Sequence, residues 1–227
     1  MALTQHAAYC EALVSCGLSV TALPPDADYP DSTFVEDTAI ITERGAIITR
    51  PGADTRRGEI SSIENELSKS FGRIAGIQAP GTVDGGDVCE AGRHFFIGIS
   101  DRTNEAGASQ LSRFLWERDY SSALIDIRGV KDILHLKSGI SYLGQNKLVV
   151  IEALANRDVL RGYEMIRIHP CEEYAANCVA INGSIIIADG FPLLKKQLID
   201  RAFRVVSLKM SEFRKMDGGL SCLSLRF

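Results

Sequence analysis

The stretch FVEDTAIITERGAIIT, residues 34–49, holds two β-type runs, FVEDTAII (34–41) and AIIT (46–49), joined by a TERG turn. An amphipathic stretch from about Thr55 to Ser70 follows, and then a third short run, RIAGIQ (73–78). Short apolar runs bounded by turn residues read as strands, and apolar residues recurring at helical spacing read as a helix. The unit is therefore strand–turn–strand–helix–strand. It is neither a simple βαβ alternation nor an all-β ladder.

The same order recurs along the chain. GGDVCEA (85–91) and FFIGIS (95–100) precede a helix from about Thr103 to Arg118 and then SALIDI (122–127). LKSGISYL (136–143) and KLVVIE (147–152) precede a shorter helical piece and YEMIRIH (163–169). CVAI (178–181) and IIIA (185–188) precede a helix from about Pro192 to Ala202 and FRVVSL (203–208). SCLSLRF (221–227) opens a fifth unit as a strand and stops. A period of roughly 40 to 50 residues belongs to repeat architectures. Each unit has too little apolar surface to stand alone, so the units must share a core. The expectation is one α/β domain over residues 1–227 with pseudo-fivefold symmetry. A generic mixed α/β sheet is the bland alternative.

Composition narrows the function classes. Of 227 residues 45% are hydrophobic and 24% charged, which is ordinary for a globular chain. A net charge of −4 lacks the basic footprint that nucleic acid requires. The N-terminus, MALTQHAAYCEALVSCGLSV, has no basic start followed by a long apolar run, so it does not read as a signal peptide. No segment approaches the roughly 18 apolar residues of a membrane span. The six cysteines are scattered with no CxxC pairing, and none of the four histidines lies near a cysteine at zinc-ligand spacing. Free thiols in a reducing cytoplasm are expected.

Four places carry candidate chemistry. In PDSTFVEDT, Glu36 and Asp37 interrupt a β-type run in which acids are disfavoured. Adjacent strand residues point to opposite faces, so at least one carboxylate should face a covered surface. Buried there it needs a cation, and a guanidinium matches it bidentately. The competing reading is an edge strand with both acids in solvent. In GTVDGGDVCEAG, Asp84 and Asp87 flank a glycine pair that reads first as a turn. His135, in DILHLKSGISYLG, is read alone as a structural histidine. Cys222, in DGGLSCLSLRF, is read alone as a small buried hydrophobe. Gly218, Gly219 and Ser221 just before it would let backbone amides approach a ligand, and a nucleophilic thiolate needs a positive neighbour such as His135.

At FVEDTA, ITRPGADTRR, VDGGDV, SDRTN, LHLKSG and GGLSC, in that order over essentially the whole chain, the sequence resembles the dimethylarginine dimethylaminohydrolases. The resemblance implies a pentein fold, a five-bladed α/β propeller of strand–strand–helix–strand repeats around a pseudo-fivefold axis. It implies Cys222 in the final strand as nucleophile, His135 as its acid/base partner, and Asp84 orienting that histidine. Glu36 and Asp37 would hold the guanidinium. Asp31, Arg56 and Arg102 would take the amino-acid end of the substrate, and the Met216 carbonyl its α-amino group. A thiouronium intermediate and the products citrulline and dimethylamine or methylamine follow. No metal or organic cofactor is expected. A small methylated arginine is the expected partner, with no nucleic acid and no membrane, and a homodimer is left open.

The family pattern begins with a further strand and a mobile loop ahead of the first helix, whereas this sequence starts at that helix, MALTQHAAYCEAL. The expected consequences are an open apolar edge at SCLSLRF and a site without its cover. Arginine deiminases and amidinotransferases share the acidic clamp and the Cys/His pair but are usually longer. A non-catalytic pentein scaffold would predict loss of Cys222 or His135, and both are present.

Overall fold

In the computed structural model, which describes residues 1–227, the chain opens with a helix, Ala2–Ser15 (α1). The stretch 34–49 then follows its sequence pattern over its apolar part. Ala39–Thr42 (β1) and Gly45–Ile48 (β2) pair antiparallel, Thr42 opposite Gly45, and Ile74–Gly76 (β3) joins β2 in parallel after the helix Ile60–Leu67 (α2). Three more sheets repeat this topology, a hairpin followed by one parallel neighbour. They are Val88–Ala91, His94–Ile99 and Ser121–Asp126 (β4–β6), Ile140–Gly144, Lys147–Val150 and Glu164–Arg167 (β7–β9), and Val179–Ile181, Ser184–Ala188 and Arg204–Leu208 (β10–β12). Three further helices, Glu105–Trp116 (α3), Pro192–Ile199 (α4) and Ser211–Arg214 (α5), complete the regular structure.

The middle strand of each sheet is paired on both sides, and its residues are almost all buried, as in Ile47, Phe96, Val149 and Ile186. This is why these strands read as continuous apolar runs without alternation. On α3, Ala108, Leu111 and Leu115 recur at helical spacing and are wholly buried. Each such leucine contributes on the order of 2 kcal/mol of transfer free energy.

The structure departs from the sequence reading where four of the expected strands begin. Val35–Thr38, Gly85–Asp87, Leu136–Ser138 and Ser221–Leu223 are single 3-10 turns, and regular pairing starts only after the first three. The argument that Glu36 and Asp37 point to opposite faces of a strand therefore fails. In the tight turn both are buried, at 3% and 4% exposure, and the solvated-edge alternative fails with it. Residues 221–227 build no strand, because no other strand of the chain offers them a ladder.

The chain forms two compact units. One comprises Met1–Pro24 and Ser138–Ser221, with sheets β7–β9 and β10–β12 and helices α1, α4 and α5. Within it Gln5 bonds both the Ser211 hydroxyl and the Glu212 amide, tying α1 to α5. Buried Glu172 accepts the Leu193 and Leu194 amides at the start of α4. That satisfies donors a helix start leaves orphaned.

The other unit comprises Pro25–Lys137 and Cys222–Phe227, with sheets β1–β3 and β4–β6 and helices α2 and α3. Its interior holds a cluster around Ile47, Val83, Phe95, Ile97 and Leu111, and a second around Ala39, Ile41, Ile48, Ile63 and Leu67. Leu225 packs on the second cluster, and the Phe227 ring meets Phe71 edge-on at 4.9 Å. The last six residues are thus anchored beside β1–β3. No helix is long and apolar enough to cross a membrane.

Candidate active site

Three buried carboxylates and one buried histidine meet in the second unit, each delivered by or beside a 3-10 turn. Asp84 enters the turn Gly85–Asp87 in extended conformation, and its Oδ2 lies 3.0 Å from His135 Nε2. Its Oδ1 accepts the Gly52 amide at 2.8 Å. Asp87 closes the same turn. It accepts the Leu136 amide at 3.0 Å and the Ser100 hydroxyl at 2.6 Å, fixing the backbone directly after His135. Asp37 accepts the Gly86 amide at 2.8 Å and the Arg56 guanidinium at 2.5 Å.

The glycine pair is a close-approach device. A side-chain carbon at Gly86 would stand 2.8 Å from His135 Cγ and 3.0 Å from Asp37 Oδ1, and one at Gly85 would stand 1.9 Å from the Glu36 carbonyl. Only glycine lets this backbone lie against the imidazole and still donate to Asp37. The reading of DGGD as an ordinary turn misses that both of its carboxylates are buried and engaged.

The electrostatics follow from this packing. Burial disfavours charge on His135, but the Asp37 carboxylate, the bond to Asp84 and the nearby Asp87 outweigh it and push the pKa up to about 9. Burial likewise works against the charge on Asp37, yet His135, Arg56 and the Gly86 amide hold its carboxyl below the usual range. Asp87 goes the other way: burial raises its pKa despite His135 and its hydroxyl partners. At neutral pH the cluster thus stores a proton on His135. Side-chain donor atoms of Asp37, Asp84 and His135 lie within 4.8 Å of one another, a spacing that could suit a metal ion. Asp84 bonds the imidazole through Nε2 and Asp37 accepts the Gly86 amide and Arg56, an arrangement that also suits proton transfer.

The remaining sequence candidates divide. Glu36 is buried and its Oε1 meets Lys137 Nζ at 2.6 Å, with Arg226 at 3.8 Å. Cys222 is half-buried in the turn Ser221–Leu223 and belongs to the same unit as His135. Arg102 follows β5, and its amide donates to Ser100, the hydroxyl that Asp87 accepts. Its guanidinium is in no ion pair. Asp31 is exposed, and its carbonyl accepts the Phe34 amide and Arg56. Met216 lies in the first unit on an exposed turn.

Arg56, expected at the amino-acid end of a substrate, is engaged inside the protein. It is 9% exposed, its Nε and Nη2 bond Glu59, its Nη1 bonds Asp37, and Nη2 also meets the Phe34 and Asp31 carbonyls. With these donors taken inside the protein, it holds Asp37 in place. Sequence reasoning also missed Asp87 as a support of His135, and Lys137 as the partner of Glu36. Lys137 carried a signal: it is a lone cation two residues after the histidine, in an otherwise apolar stretch.

Residues 26–171 match the arginine deiminase family model. The chain is 42% identical over 227 residues to the N(G),N(G)-dimethylarginine dimethylaminohydrolase of Pseudomonas aeruginosa, covering 100% of this chain and 88% of that protein. It is 35% identical to the enzyme of the same name from Streptomyces coelicolor, with 100% and 86% covered. A crystal structure of a mutant of the Pseudomonas aeruginosa protein complexed with citrulline superposes with a TM-score of 0.96, covering 99% of this chain and 88% of that one.

Proposed function

This chain belongs to the dimethylarginine dimethylaminohydrolase family, and from that premise we propose that it hydrolyses Nω-methylated arginines to citrulline and dimethylamine or methylamine. The observation that carries the reading is the buried Asp84–His135 pair, whose imidazole holds a proton up to about pH 9, in the unit that also holds Cys222.

In the proposed mechanism, the Cys222 thiolate attacks the guanidinium carbon and forms a C–S bond. The tetrahedral adduct expels the methylated nitrogen, which takes the proton from His135 and leaves as neutral amine. The C–N bond is broken and a thiouronium remains on Cys222. His135, now neutral and strongly basic because its partners favour the cation, takes a proton from water. The hydroxide adds to the same carbon, the C–S bond breaks to regenerate the thiolate, and the product gives up its hydroxyl proton to solvent and leaves as citrulline. Asp37 and Glu36 keep the guanidino group cationic and fix its plane, a positioning gain.

The carboxylate of the substrate is assigned to Arg56 and Arg102, of which the Arg102 guanidinium has no protein ion-pair partner. Asp31 and the Met216 carbonyl are assigned to its α-amino end, and Arg56 supports Asp37. The five-bladed arrangement, with residues 221–227 as the incomplete fifth repeat, and the joining of both units into one domain belong to the same proposal. So do a cytoplasmic location and a homodimer.

The test is citrulline release from asymmetric dimethylarginine, monomethylarginine and arginine, with Cys222→Ser as control. Turnover of the methylated substrates that disappears in the variant supports the proposal. Turnover of arginine alone supports deimination instead, the activity for which the matched family model is named. Silence on all three sinks both.

A further inference from the structure

At the far end of β2 and β5 from these turns, the second unit contains a cation with no counter-charge in contact. Arg118, just past the C-terminus of α3, is 3% exposed. Its Nη1 donates to the Phe114 carbonyl at 2.9 Å, while Nε and Nη2 are buried and bond nothing. These two nitrogens form one edge of the guanidinium, with N–H bonds parallel and spaced for two oxygens of one carboxylate or phosphate. Buried donors are satisfied in the great majority of cases, so an unsatisfied pair calls for an explanation.

The surroundings sharpen the point. Burial and the like charge of Arg73, exposed just before β3, disfavour the Arg118 cation, and the Glu117 carboxylate favours it. The acids on either side are engaged elsewhere: Asp119 pairs with Arg44, and Glu117 lies 3.9 Å from Arg113. Gly45, at φ +129°, sits alongside. A methyl group there would stand 3.9 Å from Arg118 Nε and 2.7 Å from the Arg73 carbonyl. Arg118, the Arg73 backbone and the side-chain-free Gly45 thus meet, with no acid in hydrogen-bond contact with the Nε–Nη2 edge. Arg73, Glu117 and Asp119 are all exposed. Glu117 and Asp119 also line an open cleft of about 580 Å³ with Arg93, Trp116, Tyr120 and Ser121.

We propose that Arg118 and Arg73 form a binding site for a small oxyanion, a phosphate or carboxylate group seated on the Nε–Nη2 edge of Arg118 beside Gly45. The site is separate from the cluster around His135 and does not depend on the hydrolase reading.

The test titrates the 227-residue chain with sodium phosphate and with sodium acetate at constant ionic strength held by sodium chloride. Binding is followed by calorimetry and by the Arg Nε–H NMR resonances. The expected result is saturable one-to-one binding of at least one anion, with a shifted Arg118 Nε–H signal. Arg73→Gln, a surface change, should weaken binding several-fold. Arg118→Lys keeps a charge but loses the two-pronged edge, and should weaken it at least tenfold while leaving the fold intact by circular dichroism. Binding of phosphate alone makes the ligand a phosphoryl compound, and binding of acetate alone makes it a carboxylate. No saturable binding of either anion overturns the proposal. So does binding of undiminished affinity in both variants, which would place the anion elsewhere.

Discussion

His135 Nε2 and Asp84 Oδ2 stand 3.0 Å apart, although 51 residues separate them in the chain. Both side chains are nearly excluded from solvent, at 10% and 2% exposure. A carboxylate held there does two things: it fixes the ring's orientation and it favours the imidazolium.

Asp84→Asn keeps the shape and removes the charge. Citrulline release should fall by about two orders of magnitude or more, within the range general acid–base catalysis contributes. The alkaline limb of the kcat/KM profile should also move to lower pH, because the imidazolium loses one stabilising partner. A drop in rate with an unmoved profile would leave Asp84 with a merely structural role.

Stability should carry the same signature. The His135 pKa is raised from 6.5 to about 9, so the folded state binds its proton more tightly than the unfolded chain. That contribution is fully present below about pH 6.5 and is lost as pH rises through about 9. The difference of about 2.5 pH units corresponds to on the order of 3 kcal/mol. Asp37 acts in the opposite sense. Its lowered pKa adds stability above its usual value, which is lost as pH falls through the lowered one. Urea midpoints measured from pH 3 to 10 should decline at both ends. His135→Asn should flatten the alkaline decline.

Gly86→Ala tests the close approach. The added carbon must displace the imidazole or Asp37, since it meets both at 3.0 Å or less. Activity should fall at least tenfold, with a urea midpoint that drops by far less than the loss of a core side chain would cause. Near-normal turnover would show that the histidine can shift without consequence.

Arg56→Gln removes the cation that Asp37 and Glu59 share. Breaking a buried pair from one side costs roughly 3–5 kcal/mol, because the partner carboxylates stay buried without their cation. A clear fall in thermal midpoint is therefore expected, together with weaker binding of the guanidino group through a misplaced Asp37. A rise in KM with an unchanged thermal midpoint would leave Arg56 as a substrate-binding group only.

Much of this was legible without coordinates. The apolar runs AIIT, FFIGIS, KLVVIE and IIIA mark the central strands, because a strand flanked on both edges and covered on both faces has no polar side to show. The amphipathic stretches mark α2, α3 and α4 for the complementary reason. Asp84, His135, Asp37 and Cys222 could be singled out as unusual residue types in those surroundings and by family resemblance.

Tertiary structure decided what those residues touch. The four 3-10 turns were read as strand starts because local pattern does not register the bonds that close a turn against a distant segment. Gly86 to Asp37 and Asp87 to Leu136 are each 49 residues apart. Arg56 could be singled out by position, but not its bonds to partners 3 to 25 residues away. Asp87 looked like a turn former, yet it carries the backbone beside the histidine. Periodicity is a property of neighbouring residues, so sequence determines which segments must be buried and in what order. Hydrogen bonds and charge pairs are set by distances across the fold, so only the folded chain decides which acid faces the imidazole and which arginine is left without a partner.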